Sequence, residues 1–141
     1  MKIPFLLLVI SGLAAGAPVN HLNFNLPSQS APVSSQFGDK GRVTITYDKL
    51  RMVPLGCDGH VVLSFMRVKT VFRDGTGKIL LRPDAELGEP DSMDTVDVSF
   101  KVPADAVTVA VWFEGKNRFD SDDPPDCRDG DEVSPYVVRL N

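Results

Sequence analysis

Across residues 96–113 this chain alternates apolar and polar side chains with a period of two, and that pattern restricts it to β structure. Val96, Val98, Phe100 and Val102 interleave with Thr95, Asp97, Ser99 and Lys101, as a strand with one buried face requires. Pro103-Ala104-Asp105-Ala106 turns the chain into Val107, Val109, Val111 and Phe113, with Thr108, Ala110, Trp112 and Glu114 on the opposite face. Upstream, Val43, Ile45 and Tyr47 alternate with Thr44, Thr46 and Asp48. The β-rich run 61–72 changes phase. Val61, Leu63 and Phe65 share one face, then Met66, Val68 and Phe72 the other, as a bulge near Phe65 or a first half buried on both faces would produce. Asp74-Gly75-Thr76-Gly77 reads as a hairpin turn into residues 78–81, and residues 136–140 as a last short strand. No segment carries an apolar stripe at helical spacing. Several short strands separated by turn residues predict an all-β chain, a single antiparallel β-sandwich.

The first residues predict the compartment. Met1-Lys2 is followed by the apolar run Phe5-Leu6-Leu7-Leu8-Val9-Ile10 and the small residues Ala14-Ala15-Gly16. This is the pattern of a secretory signal cut before Ala17, too short to span a bilayer. The expected organisation is a signal peptide over 1–16, a flexible N-terminal arm over 17–41 and a β-sandwich domain over 42–141. The arm is rich in Pro, Ser, Asn, Gln and Gly. Within it Leu22, Phe24 and Leu26 alternate with Asn23 and Asn25 and allow a short first strand. Residues 82–94 read as an exposed loop, with Asp84, Glu86, Glu89, two prolines and Gly88. Two cysteines in an oxidising compartment predict one disulfide, Cys57–Cys127. Closing so long a loop is worth roughly 4 kcal/mol in chain-entropy terms. The competing reading, a metal or catalytic thiol, lacks a C-x-x-C or Cys/His-rich arrangement.

With 15 basic and 19 acidic residues and a net charge of −4, the chain is a poor generic partner for nucleic acid. No second stretch reaches transmembrane length, so no membrane insertion is expected. The acid is concentrated: Asp120, Asp122, Asp123, Asp126, Asp129, Asp131 and Glu132 crowd one segment. Clustered carboxylates repel unless a cation neutralises them, and Ca²⁺ with its flexible oxygen coordination is the extracellular candidate. Asp120, Asp122, Asp123, Asp126, Asp129 and Asp131 are therefore the candidate metal ligands, although the EF-hand loop pattern is absent. The competing reading is a solvated acidic loop partly balanced by Lys116, Arg118 and Arg128. Trp112, the only tryptophan, falls opposite Val109, Val111 and Phe113. Outward, it would be a stacking platform for a sugar ring or an anchor for a protein; with both sheet faces covered, it packs beneath a loop. Tyr47 and Tyr136 are expected to face the core through their rings. His21 and His60 lack the spaced partners of a zinc site. There is no G-x-S-x-G elbow or H-E-x-x-H. A carboxylate pair for glycoside hydrolysis would need a cleft that a small sandwich does not supply.

The run Phe100-Lys101-Val102-Pro103-Ala104-Asp105-Ala106-Val107-Thr108-Val109-Ala110-Val111-Trp112-Phe113-Glu114 leads to a loop with Cys127 and Asp131, then to a Tyr-containing last strand. Over about residues 95–141 this resembles a family of small secreted β-sandwich domains of unknown function, and is distantly similar to the closing strands of starch-binding carbohydrate-binding modules. The corresponding ending, Asp129-Gly130-Asp131-Glu132-Val133-Ser134-Pro135-Tyr136, has the acid and the tyrosine but not the Asn-Asn and Gly-x-Asn elements. The resemblance implies a sandwich fold, with Trp112, Asp131 and Tyr136 as the residues that carry over to a ligand site. Taken together, the sequence predicts a secreted, extracellular, monomeric, non-enzymatic binding module. Its candidate ligand-binding residues are Trp112 and Tyr136, and its partners an extracellular glycan or protein. The protein-directed alternative is an effector or inhibitor.

Overall fold

The computed structural model describes residues 21–25, 33–35, 41–57, 63–89, 93–117 and 127–140. Ten strands and one short 3₁₀ helix follow in the order β1 (His21–Phe24), β2 (Val33–Ser35), β3 (Arg42–Asp48), the helix (Lys49–Leu55), β4 (Leu63–Arg73), β5 (Ile79–Leu81), β6 (Asp84–Glu86), β7 (Thr95–Lys101), β8 (Thr108–Asn117), β9 (Cys127–Asp129) and β10 (Tyr136–Arg139). One sheet has the order β2-β1-β3-β7. The second has β10-β8-β4-β5, with β6 also on β4 and β9 also on β8. The two sheets pack face to face as a β-sandwich with one disulfide, Cys57–Cys127. Pairing is antiparallel throughout the described strands except for β1 on β3, which is parallel.

The alternating residues place the core. Val43, Ile45 and Tyr47 of β3, Val68 and Phe72 of β4, and Val109, Val111 and Phe113 of β8 are all fully buried in one cluster. The ladder between β4 and β8 shifts register between Leu63 and Phe65, where the apolar phase of the sequence changes. The hairpin turn forms as its residues dictate. The Asp74 carboxylate accepts from the Thr76 and Lys78 amides and from the Thr76 hydroxyl, and Gly77 takes the left-handed conformation at φ 90°.

Three elements depart from the expectations. Residues 17–41 contribute β1, which lies between β2 and β3 with Leu22 and Phe24 fully buried. Its one asparagine, Asn23, points away from the core, so the short strand that the alternation allowed is a core strand inside a polar segment. Within 82–94, Asp84 and Glu86 form β6 opposite Lys69 and Arg67 of β4. Cross-strand ion pairs, Lys69 Nζ to Asp84 at 3.1 Å and Arg67 to Asp84 at 3.3 Å, favour that pairing over an open loop. Leu87, just after it, is fully buried and donates its amide to Met66. The 3₁₀ helix carries no apolar periodicity. It is started by the Asp48 side chain, which accepts from the Leu50 amide, and stopped by Gly56 at φ 112°.

Gly115 of β8 lies against the disulfide. A Cβ there would stand 2.6 Å from Cys127 Sγ and 3.0 Å from Cys57 Sγ, closer than real carbon–sulfur contacts allow. Gly115→Ala is expected to displace the bridge and cost up to the roughly 4 kcal/mol assigned to it. A thermal melt and a thiol count on the purified variant check this. An unchanged melting temperature with no free thiol would show that the strand accommodates the methyl group.

Candidate functional site

The end of the sandwich where the chain returns into β9 gathers the most chemistry. Cys127 and Asp129 stand two residues apart on one strand and share its inward face, so the cystine carries the carboxylate into the core with it. The Asp129 carboxylate is 1% exposed and faces Arg51 of the 3₁₀ helix, equally buried, at 2.7 Å from Nε. A second contact runs from Arg51 Nη2 to the other carboxylate oxygen at 3.4 Å. The Tyr47 hydroxyl of β3 donates to Asp129 Oδ2 at 2.7 Å, and the Tyr136 hydroxyl of β10 donates to Oδ1. Arg51 Nη2 also donates to the Tyr136 oxygen at 3.1 Å. The guanidinium lies 5.3 Å from the Phe24 ring centre and 5.8 Å from those of Tyr47 and Tyr136, close enough for cation–π attraction. Beneath, Tyr47 stacks on Phe113 at 3.8 Å, and Phe24 meets Phe113 edge-on. The helix, β3 and β10 thus converge on the one carboxylate that β9 carries.

The electrostatics are those of a closed structural network. Burial pushes the Tyr47 phenol far above its ordinary value, and the neighbouring Asp129 charge pushes the same way. Tyr136 is raised first by burial, then by its hydrogen bond to Asp129 and by the Asp129 charge. Desolvation would lower the Arg51 pKa, but the hydrogen bond and charge of Asp129 outweigh it and raise it. Both tyrosines remain neutral donors, and the charge is a single ion pair.

The structure brings only some of the expected site residues together. Asp129 and Tyr136 meet in this network, with the Asp129 oxygens already engaged. Asp131 lies in the turn that follows, where one carboxylate oxygen accepts from the Val133 and Ser134 amides at 2.9 and 2.6 Å. Asp120, Asp122, Asp123 and Asp126 lie outside the described residues. Among the described residues no group of three or more His, Cys, Asp or Glu side chains is arranged to hold a metal. Trp112 does fall on the outer face of its strand, apart from the main core, but it is 5% exposed and packs with Val71 and Ala110. Its indole N–H donates to Glu114 at 3.0 Å. A Cβ on Gly130 of the following turn would stand 3.3 Å from the Trp112 Cβ, so the start of that turn abuts the tryptophan. The indole presents no open face for a sugar ring in this arrangement.

Arg51 is the residue that sequence reasoning missed, along with its fully buried neighbour Lys49, whose ammonium donates to the Glu89 carbonyl at 3.0 Å. Burial lowers the Lys49 pKa against the opposing charges of Asp94 and Glu89. A signal for Asp129 did exist. The half-cystine at 127 fixes the parity of its strand, so residue 129 had to point inward and find a cation. No family model, no curated protein and no solved structure matches this chain.

Asp129→Asn leaves Arg51 buried without its counter-charge and is expected to cost about 3–5 kcal/mol, read as a fall in the urea midpoint with Ca²⁺ absent. The tyrosines add a pH dependence. Their folded pKa values lie above the unfolded 10.0, so the stability they confer is complete below pH 10.0 and declines as pH rises above it. Urea unfolding between pH 9 and 12 should show this decline, and Tyr47→Phe should flatten it. A Tyr47→Phe curve parallel to that of the native chain would exclude Tyr47 as its source.

Proposed function

We propose that this chain is a secreted, non-enzymatic binding module that works through the disulfide-braced end of its sandwich. The observation that carries the reading is the anchoring of β9. Within three residues, that strand holds a cystine to Cys57 and a buried ion pair to Arg51. The segment 118–126, with Asp120, Asp122, Asp123 and Asp126, returns into this fixed base. A dense set of carboxylates in the sequence that runs into a fixed strand suits a cation, and Ca²⁺ is the extracellular ion whose coordination tolerates such a donor set. Secretion rests on the signal-like first sixteen residues and accords with the disulfide. Among the described residues no helix is long and apolar enough to cross a membrane. A second reading, a protein-directed effector or inhibitor, is favoured by Val133 and Val137, which are 91% and 63% exposed beside the same end.

The test is a thermal melt of the disulfide-bonded chain in EDTA and then in millimolar Ca²⁺. A ligand that prefers the folded state raises the melting temperature. A rise of several degrees is expected, lost when Asp120, Asp122, Asp123 and Asp126 are together changed to Asn. Asp129 is left intact, because its replacement unfolds the base for reasons unrelated to metal. An unchanged melt removes Ca²⁺ and leaves the protein-directed reading.

A further inference from the structure

Strand β7 forms an edge of the first sheet. Its seven residues pair with β3 on one side, and among the described residues no strand pairs with the other. The ladder shows which backbone groups this leaves. Val102 donates its amide to the Gly41 carbonyl, in step with the register that sets Lys101 opposite Arg42. Backbone groups of an antiparallel strand turn to alternate sides, so Phe100, Val98 and Val96 also turn theirs to β3. Thr95, Asp97, Ser99 and Lys101 turn theirs to the edge, and all four residues are exposed. Such a row of N–H and C=O groups is a template for a further strand. Along the same edge the inward Val96, Val98 and Val102 are only partly buried against the core, so the apolar interior reaches the rim of the sandwich here. On the outer face Asp97 accepts from the Thr46 hydroxyl, and Ser99 shares a hydrogen bond with Thr44 at 2.8 Å. Neither Asp97 nor Lys101 makes an ion pair among the described residues.

We propose that β7 pairs with β7 of a second copy of this chain, antiparallel about a twofold axis through Ser99, so that the two first sheets become one. Charge placement selects both the partner and the register. Asp97 and Lys101 stand at equal distances on either side of Ser99. With Ser99 opposite its own copy, Asp97 of each chain lies directly opposite Lys101 of the other and on the same face, and an ion pair forms on each side of the axis. An axis through Asp97 or through Lys101 would set like charges opposite each other. An axis through Val98 would set Asp97 against Ser99 and Lys101 against Thr95, with no ion pair. In the Ser99 register the residues that meet are those whose backbone groups face the edge, so each pair exchanges both of its hydrogen bonds. On the inner side Val98 meets Phe100 and Val96 meets Val102, which carries the apolar rim across the junction. Pro103, with no N–H to give, stands opposite Thr95 and ends the ladder. The interface is isologous, the form that twofold dimers use. A lysine on an edge ordinarily discourages pairing; in this register alone an aspartate answers it.

The pairing goes beyond the binding-module reading and does not depend on it, and it stands against the monomer expected from the sequence. Its test is run in EDTA, so that it fails or succeeds independently of Ca²⁺. The molar mass of the disulfide-bonded chain is measured by sedimentation from low micromolar to submillimolar concentration, with amide hydrogen exchange at both ends of that range. The mass should double as concentration rises, and exchange at Asp97, Ser99 and Lys101 should slow in step with it. Ser99→Pro removes an N–H that faces the edge, a change an edge strand tolerates, and should leave a monomer. Lys101→Asp sets like charges opposite each other and should weaken the dimer roughly tenfold or more, whereas Asp97→Lys/Lys101→Asp should restore it. Circular dichroism confirms that each variant folds. If the doubly exchanged variant does not, for want of the bond from Thr46 to Asp97, Ser99→Pro and Lys101→Asp still decide. A dimer that both of these leave intact overturns the proposal, because it forms through another surface. A monomer at every concentration overturns it as well. Protection of the three amides in that monomer would assign the edge to a segment of the same chain, and free exchange would leave it to an extended peptide of another protein.

Discussion

The Arg51–Asp129 ion pair fixes how two segments already joined by the Cys57–Cys127 bridge sit against each other. Arg51 comes from a seven-residue 3₁₀ helix after β3, and Asp129 from a three-residue strand too short to hold its own register. Removing both charges from water is expensive, and the attraction between them repays that cost only when the remaining lone pairs and protons are satisfied. Here two phenols and the second guanidinium nitrogen supply the missing bonds. The rings of Phe24, Tyr47 and Tyr136 surround the cation. The pair therefore selects one arrangement of β1, β3, β9, β10 and the helix, because any slip leaves a charge buried without a partner.

The disulfide and the ion pair act on different states of the chain. The cystine limits the unfolded ensemble by closing a loop between residues 70 positions apart. The ion pair discriminates among compact states. Gly115 links them, since the close approach of β8 to both sulfurs requires a residue without a side chain. Together they hold the end of the sandwich from which β9 starts.

Where residues alternate strictly, the fold was legible in the sequence. The inward faces of β3, β7 and β8 follow from Val43, Ile45, Tyr47, Val96, Val98, Phe100, Val109, Val111 and Phe113 by period two alone. The phase change near Phe65 located a register shift, and the two cysteines located their bond. What escaped were features whose cause lies in another part of the chain. The alternation of Leu22 and Phe24 with Asn23 allowed the strand β1, and what escaped was its place in the core beside β3. β6 exists because Lys69 and Arg67 stand opposite. Arg51 and Lys49 look like surface residues of a loop, because burial of a cation depends on a carboxylate or carbonyl distant in sequence. Local reading likewise assigned Asp129 to an acidic cluster by composition, whereas its strand parity assigns it to the core.

That parity has consequences on both sides of the sheet. With Cys127 and Asp129 turned inward, Arg128 between them must face outward, and the register of β9 on β8 sets it beside Glu114. The same rule applied to β8 turns Val111 and Phe113 into the core and Trp112 outward. There the indole is covered and bonded to Glu114 instead of standing free. On β10, inward Tyr136 and Val138 leave Val137 and Arg139 outside, in rows with Ala110 and Thr108. The outer face thus derives its pattern of arginines and aliphatic residues from constraints imposed by the interior. Replacing an outward arginine should leave the ion pair, the cystine and the aromatic cluster untouched, so the interior and the outer face can be altered separately.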